Sequence, residues 1–180
     1  MELYRCRCGF QFSIELGKVI CVSDAQEAAT RDAAMIAAAR ESGLRPPLPT
    51  PAIGPGALLD RDALAGHLFL QGQVGRRGAT GRFDDVVGRG FVLLSPAGDP
   101  ASLLAPDLAT FFGSIGGIGA HVARGGPVDD VSGSYARWFA EHRVAVVLQR
   151  PDFHVFGTAP TIEGAGTLVA ELRRALARGA

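Results

Sequence analysis

Hydrophobic and polar positions along the chain alternate between two periods. Gly90 to Ser95 (Gly-Phe-Val-Leu-Leu-Ser) and Val144 to Leu148 (Val-Ala-Val-Val-Leu) are apolar, β-branched runs of strand length bounded by turn residues. Between them Leu104, Leu108, Phe111 and Phe112 recur at helical spacing, which predicts a helix over Ala101 to Phe112 with one apolar face. Gly113 to Gly119 should stop it, and Ala120 to Arg124 reads as a second strand. Tyr135, Trp138, Phe139 and His142 then fall at i, i+3, i+4 and i+7, so a helix over Ser132 to His142 gathers four rings on one face and seals one side of a sheet. Val144 to Ala159 predicts a hairpin turning at Arg150-Pro151-Asp152, and Ile162, Ala165, Leu168, Val169, Leu172 and Leu176 mark a closing amphipathic helix. Its Arg173, Arg174 and Arg178 would meet the negative end of the helix dipole.

Upstream the pattern is weaker. Ser23-Asp24-Ala25-Gln26 reads as a capping box, with the Ser23 hydroxyl on an orphan amide and Gln26 reaching back. An alanine-rich helix over Glu27 to Glu41 follows, with Met35 and Ile36 as its large apolar residues and Gly43 placed to end it. Prolines crowd Leu44 to Pro55, where lost amide donors and fixed φ predict an extended linker. His67 to Val74 predicts a short strand or extended arm, and Arg76 to Thr80 an exposed turn. The expected organisation is an N-terminal helical extension (1–43), a Pro/Gly-rich linker (44–65) and a C-terminal domain (66–180). The order βαβαββα is that of a thioredoxin-like α/β sandwich, with helices on both faces of a four-stranded mixed sheet.

Composition narrows the class. The 180 residues carry 18 basic and 18 acidic side chains, which leave no net field to attract nucleic acid or an anionic membrane. No apolar run reaches the ~20 residues of a membrane span, and Met1 to Phe12 has no signal-peptide core, so a soluble, cytoplasmic protein is expected. Cys6, Cys8 and Cys21 form no even framework and should be thiols in a reducing compartment.

A thioredoxin-like order raises the question of a redox nucleophile, which belongs just after the first core strand, at a helix N-terminus. That position reads Ser95-Pro96-Ala97-Gly98-Asp99-Pro100, without cysteine, and no proline precedes the hairpin strand in Glu141-His142-Arg143-Val144. Cys6 and Cys8 lie beside Arg5 and Arg7, whose charges would lower a thiol pKa, but a Cys-x-Cys pair lacks the ligands a zinc or copper site needs. His67, His121, His142 and His154 fall on different elements, as packing or surface residues do. Gly113, Gly116, Gly117 and Gly119 follow a helix, whereas a dinucleotide fingerprint opens one with Gly-x-Gly-x-x-Gly. Asp84 and Asp85 are adjacent, so their side chains diverge and suit turn formation and capping. Asp129 and Asp130 read as caps for the next helix, and Asp152 as an Asx-type turn residue paired with Arg150. No Gly-x-Ser-x-Gly elbow is present. The residues therefore nominate no catalytic, cofactor-binding or metal-binding group.

Arg89-Gly90-Phe91-Val92-Leu93-Leu94 and Arg150-Pro151-Asp152 carry a family signature, supported by Ser13-Ile14-Glu15-Leu16-Gly17-Lys18-Val19-Ile20-Cys21 and Arg31-Asp32-Ala33-Ala34-Met35. From about Ser13 to Ala180 the chain resembles the C-terminal portion of FAD-dependent aromatic-ring hydroxylases, in particular the 3-(3-hydroxyphenyl)propionate hydroxylase group. The resemblance implies an enzyme in which NADH or NADPH reduces FAD, oxygen forms a flavin hydroperoxide and a phenolic ring is hydroxylated. It implies equally that FAD is held by an N-terminal Gly-x-Gly-x-x-Gly, a motif this sequence lacks, and Met1 to Phe12 departs from the family. The expectation is a truncated C-terminal portion that binds neither FAD nor NAD(P)H and whose role is packing or oligomerisation. Its helices between Ser13 and Glu41 would meet a flavin domain or a second copy. Two other classes remain open, a stand-alone thioredoxin-like thiol oxidoreductase using Cys6 or Cys8, and a small protein-interaction module.

Overall fold

A computed structural model describes residues 14, 17–42, 52–53 and 56–178. Cys6, Cys8 and Gly43, with residues 44–51 and 54–55 of the expected linker, lie outside the described residues. The chain divides into two compact units, Met1–Gly54 and Pro55–Ala180.

In the first unit residues 17–20 are helical and helix α1 spans Ala25–Ser42. Its cap differs from the expected Ser23 box. Asp24 Oδ1 accepts from the amides of both Gln26 and Glu27 at 2.9 Å, so the carboxylate one residue later satisfies the orphan donors and α1 starts at Ala25. Arg31 donates to the carbonyls of Val19 (3.1 Å) and Ile20 (2.7 Å), tying the preceding helical turn to α1.

The second unit holds a seven-stranded sheet where four strands were expected. The strands are β1 (Gln73–Arg76), β2 (Ala79–Arg82), β3 (Val92–Ser95), β4 (Ile118–Ala123), β5 (Val128–Asp130), β6 (Val146–Gln149) and β7 (Val155–Ala159). Their order is β2-β1-β5-β4-β3-β6-β7. β3 pairs parallel to β4 and antiparallel to β6, and β6 pairs antiparallel to β7. The expected exposed turn at Arg76 to Thr80 is the tip of the β1–β2 hairpin. Arg77 and Gly78 both take positive φ there (50° and 82°), which lets a two-residue loop match the twist of the strands. Asp129 and Asp130, expected as helix caps, lie in β5, which pairs with both β1 and β4.

Helices follow their caps and prolines. The single helix expected over Ala101 to Phe112 is broken into a 3-10 turn, Pro100–Leu103, and α3 (Pro106–Ser114). Pro106 has no amide to donate and holds Ala105 extended (φ −59°, ψ 150°), so it suits only the first turn of a new helix. A one-turn helix, α2 (Phe83–Val86), follows β2; α4 spans Ser134–His142 and α5 Ala165–Arg178.

Strand alternation sorts the core into two layers. Val92, Leu94, Val147 and Val155 face α4, with Tyr135, Phe139, Phe69 and Phe83. Leu93, Val146, Leu148 and Phe156 face α3 and α5, with Phe112, Leu168, Val169 and Leu172. Both faces of the sheet are thus covered, and each fully buried side chain of this size contributes roughly 1.5–3 kcal/mol. Three of the four rings of α4 meet directly, and Tyr135 joins them through Phe69, 5.9 Å away. Trp138 lies 5.4 Å from Phe139, 4.5 Å from His142 and 4.8 Å from Phe69, centroid to centroid.

Residues 56–65, which fall within the expected linker, run alongside the outer edge of β7. Leu59 donates to Phe156 O (2.8 Å), Gly66 donates to Val155 O (2.9 Å), and Asp62 accepts from the amide and hydroxyl of Thr158. Gly157 makes this possible, because a Cβ there would sit 2.7 Å from that of Leu59. Among the described residues no helix is long and apolar enough to cross a membrane.

Candidate functional site

Three polar constellations occupy places where chemistry could be sited. The first is the end of β3, the position of a redox nucleophile in a thioredoxin-like order. Ser95 is fully buried and its Oγ accepts from the Ala97 amide at 3.0 Å. His121 Nε2 lies 3.2 Å from the carbonyl oxygen of Pro96, and Asp99 Oδ1 accepts from Ala101 N (3.0 Å) to cap the 3-10 turn. The polar groups here are spent on folding the loop. The described residues contain no cis peptide bond.

The second is the tip of the β6–β7 hairpin, where the sequence expectation of an Arg150–Asp152 pair is met. Arg150 donates through Nη2 to Asp152 Oδ2 (2.7 Å) and through Nε to Oδ1 (3.1 Å), a bidentate fork, while Nη1 reaches the carbonyl of Ala57 at 2.9 Å. Phe153 holds the turn at φ 66°, and His154 Nδ1 lies 2.9 Å from Asp152 O. Burial disfavours the Asp152 carboxylate, but the hydrogen bond and charge of Arg150, with smaller help from His154, hold its pKa below the usual carboxylate value. This constellation is a clamp that fixes the hairpin against the segment before it.

The third was not anticipated. Tyr135, fully buried, accepts from Gly72 N (3.2 Å) and donates to Leu70 O (3.4 Å). Burial pushes its phenol well above the ordinary value; the Gly72 bond opposes this and the charges of Asp130 and Asp84 reinforce it. Asp130, also fully buried, accepts from Ala136 N at 2.9 Å, capping α4 from outside as expected, although Gly133 occupies the N-cap position. Asp129 instead closes the Gly125 turn. Asp84 and Asp85 both face Arg89, at 3.5 and 3.6 Å.

The glycine cluster is a packing device, with Gly116 turning at φ 72° and a Cβ on Gly117 falling 2.5 Å from the Phe112 ring. It follows α3 and offers no helix N-terminus to a pyrophosphate, so these residues do not fit FAD. No group of three or more His, Cys, Asp or Glu among the described residues could hold a metal ion. Cys21 is an exposed free thiol.

Residues 66–175 match the family model of the HcaD C-terminal domain. The chain is also 35% identical over 170 residues to a protein of Rhodococcus jostii (strain RHA1) named "Probable NADH-specific resorcinol 4-hydroxylase". This chain belongs to the HcaD C-terminal domain family. The match takes in 92% of the chain but 31% of the Rhodococcus protein, so the chain spans under a third of that relative's length. Among solved structures, the flavin-dependent monooxygenase PieE, determined with FAD and substrate, superposes with a TM-score of 0.55 at 25% identity, over 93% of this chain and 32% of its own. Aklavinone-11 hydroxylase, in a ternary complex with FAD and aklavinone, shares the fold with a TM-score of 0.55 at 22% identity, over 73% of this chain and 27% of its own. The HcaD C-terminal domain is thus a portion of FAD-dependent monooxygenases, as the Arg89–Leu94 and Arg150–Asp152 signatures implied.

Proposed function

We propose that the chain is the thioredoxin-like, redox-inactive C-terminal domain of an FAD-dependent, NAD(P)H-using phenolic-ring monooxygenase of the cytoplasm, and that it packs against the flavin-binding part without holding the cofactor. The membership of residues 66–175 in the HcaD C-terminal domain family carries the reading. The order β4-β3-β6-β7, with one parallel and two antiparallel pairings, supports the thioredoxin-like assignment. A structural role is supported by the end of β3, where Ser95 stands in place of a nucleophilic thiol and is committed to Ala97. It is supported also by the packing use of Gly116 and Gly117, which offers a phosphate no cradle at the turn after α3.

The test is direct. The purified chain should be colourless, take up no FAD from a cofactor-saturated buffer and consume no NADH in the presence of resorcinol. Replacing Cys6, Cys8 and Cys21 together with serine should leave its folding unchanged. Flavin absorbance that follows the chain through purification, or disulfide-reductase turnover lost in the triple serine variant, would overturn the proposal.

A further inference from the structure

Residues 56–59 form an arm that is fastened to the β6–β7 hairpin and to little else. Ala57 O accepts from Arg150 Nη1 at 2.9 Å, and Leu59 N donates to Phe156 O at 2.8 Å. The Leu59 side chain fills the space that a Cβ on Gly157 would take. Of these four residues only Leu59 packs against the core. Clefts of about 330 and 180 Å³ lie between residues 56–60 and the last turns of α5, where Glu171, Ala175 and Arg178 line the far wall. Release of the arm therefore breaks a few hydrogen bonds and uncovers one leucine, a small loss beside the two core layers.

The arm is joined to its own domain by a hinge under strain. The chain leaves β7 at Leu59 and is back on the adjoining carbonyl at Gly66, whose amide donates to Val155 O at 2.9 Å, so residues 60–65 close a tight loop. Within it Arg61 takes φ 68°, a left-handed conformation that is costly for a residue with a Cβ and that turns ordinarily give to glycine or asparagine. Arg61 is exposed and its side chain makes no hydrogen bond or ion pair among the described residues, so closure of the loop, not a contact of its own, imposes the conformation. A short hinge loop under strain invites exchange of the segment it joins, because the opened hinge is relaxed and every contact of the segment can be made again on a second copy. We propose that the arm exchanges reciprocally between two copies of this chain, with the hinge at residues 60–65 opened. Leu59 of each copy then lies on Phe156 O and Gly157 of the other, and Arg150 of each holds the other's Ala57 carbonyl. The occupant is a second copy because the seat is cut to this sequence, with the missing side chain at Gly157 matching Leu59. The contact is the same in both directions, so it closes at two chains and leaves neither β7 edge bare.

Light scattering on a sizing column, with the full chain at rising concentration, should show a monomer and a two-chain species that interconvert slowly. Arg61→Gly accepts the left-handed conformation without strain and should raise the dimer dissociation constant at least about tenfold. Arg61→Pro fixes φ at about −65°, forbids the closed loop and should drive the chain to dimer. Trp138 fluorescence reports that the 55–180 unit remains folded in each variant. A disulfide locates the contact. With Cys6, Cys8 and Cys21 replaced by serine, Leu59→Cys and Gly157→Cys put two thiols at the seat, where the atoms nearest a Cβ at position 157 all belong to residue 59. Oxidised dimer should run as a covalent two-chain band on a non-reducing gel, and oxidised monomer should carry an internal link. A dimer whose links are all internal would overturn the proposal, since the copies would then meet elsewhere. So would a parent chain that stays monomeric at every concentration, a dimer indifferent to Arg61→Gly, or a ladder of linked chains beyond two. If Arg61→Pro fails to fold, the glycine variant and the disulfide still decide the matter.

Discussion

Replacing Tyr135 with phenylalanine keeps the ring contacts with Phe69 (5.9 Å) and Phe83 (5.6 Å) and removes only a hydroxyl. That hydroxyl is the partner of the Gly72 amide at 3.2 Å and the Leu70 carbonyl at 3.4 Å. Leaving a buried donor unsatisfied costs about 1–3 kcal/mol, and the longer Leu70 bond adds little, so the variant should lose about 2 kcal/mol at neutral pH. The second consequence concerns alkali. The folded phenol titrates above its unfolded value because burial penalises the phenolate, with Asp130 and Asp84 adding to the effect. The native state therefore keeps its proton when the unfolded chain begins to release one near pH ~10. The stabilisation is complete below the unfolded pKa and declines as pH rises toward the folded one, at up to about 1.4 kcal/mol per pH unit. Tyr135→Phe lacks this slope. Urea unfolding of both proteins at pH about 7 and at steps above about 10 should give curves that start apart and converge with rising pH. Equal stability at neutral pH together with parallel slopes in alkali would refute the reasoning.

Arg150→Met should cost about 1–3 kcal/mol, since it removes a bidentate pair with Asp152 and frees the Ala57 carbonyl, and limited proteolysis should then cut faster between residues 56 and 66. Trp138→Ala empties a half-buried site packed edge-on to Phe69 and Phe139, and chemical denaturation should show a loss of about 3 kcal/mol, the lower end for a large aromatic.

How much of this was legible depends on how far apart in sequence the deciding contacts lie. β3, β6 and β7 could be read because buried strands are β-branched runs, and the α4 rings because helical spacing is local. The Arg150–Asp152 fork was legible for the same reason, whereas its anchor on Ala57 lies 93 residues away and leaves no local trace. β5 escaped notice because three residues, two of them aspartates, look like caps, and because parallel neighbours are usually joined by a dozen residues or more. The end of α4 carried no glycine signal, since Arg143 itself takes the left-handed conformation at φ 55°. Pro106 was visible, but the Leu104, Leu108, Phe111 and Phe112 period ran through it and suggested continuity. Tyr135 was recognised as a core ring; its polar role depends on Gly72, 63 residues earlier.

The segment running along β7 has a consequence for how this sheet resists aggregation. An open edge strand is a template for strands of other molecules, and at β7 the template is filled in cis by Leu59 on Phe156 O and Asp62 on Thr158. The opposite edge, β2, is only four residues long and ends at Arg82, a short and charged border that discourages pairing. A fragment trimmed to Gly66, where the HcaD C-terminal domain match begins, would keep the fully buried core residues but lose that cover, together with Leu59 and Leu64, which pack against the core. With Phe156 O and Thr158 N released, it would present an unpaired apolar edge and go over to fibrillar or amorphous aggregates that the chain retaining residues 56–65 avoids.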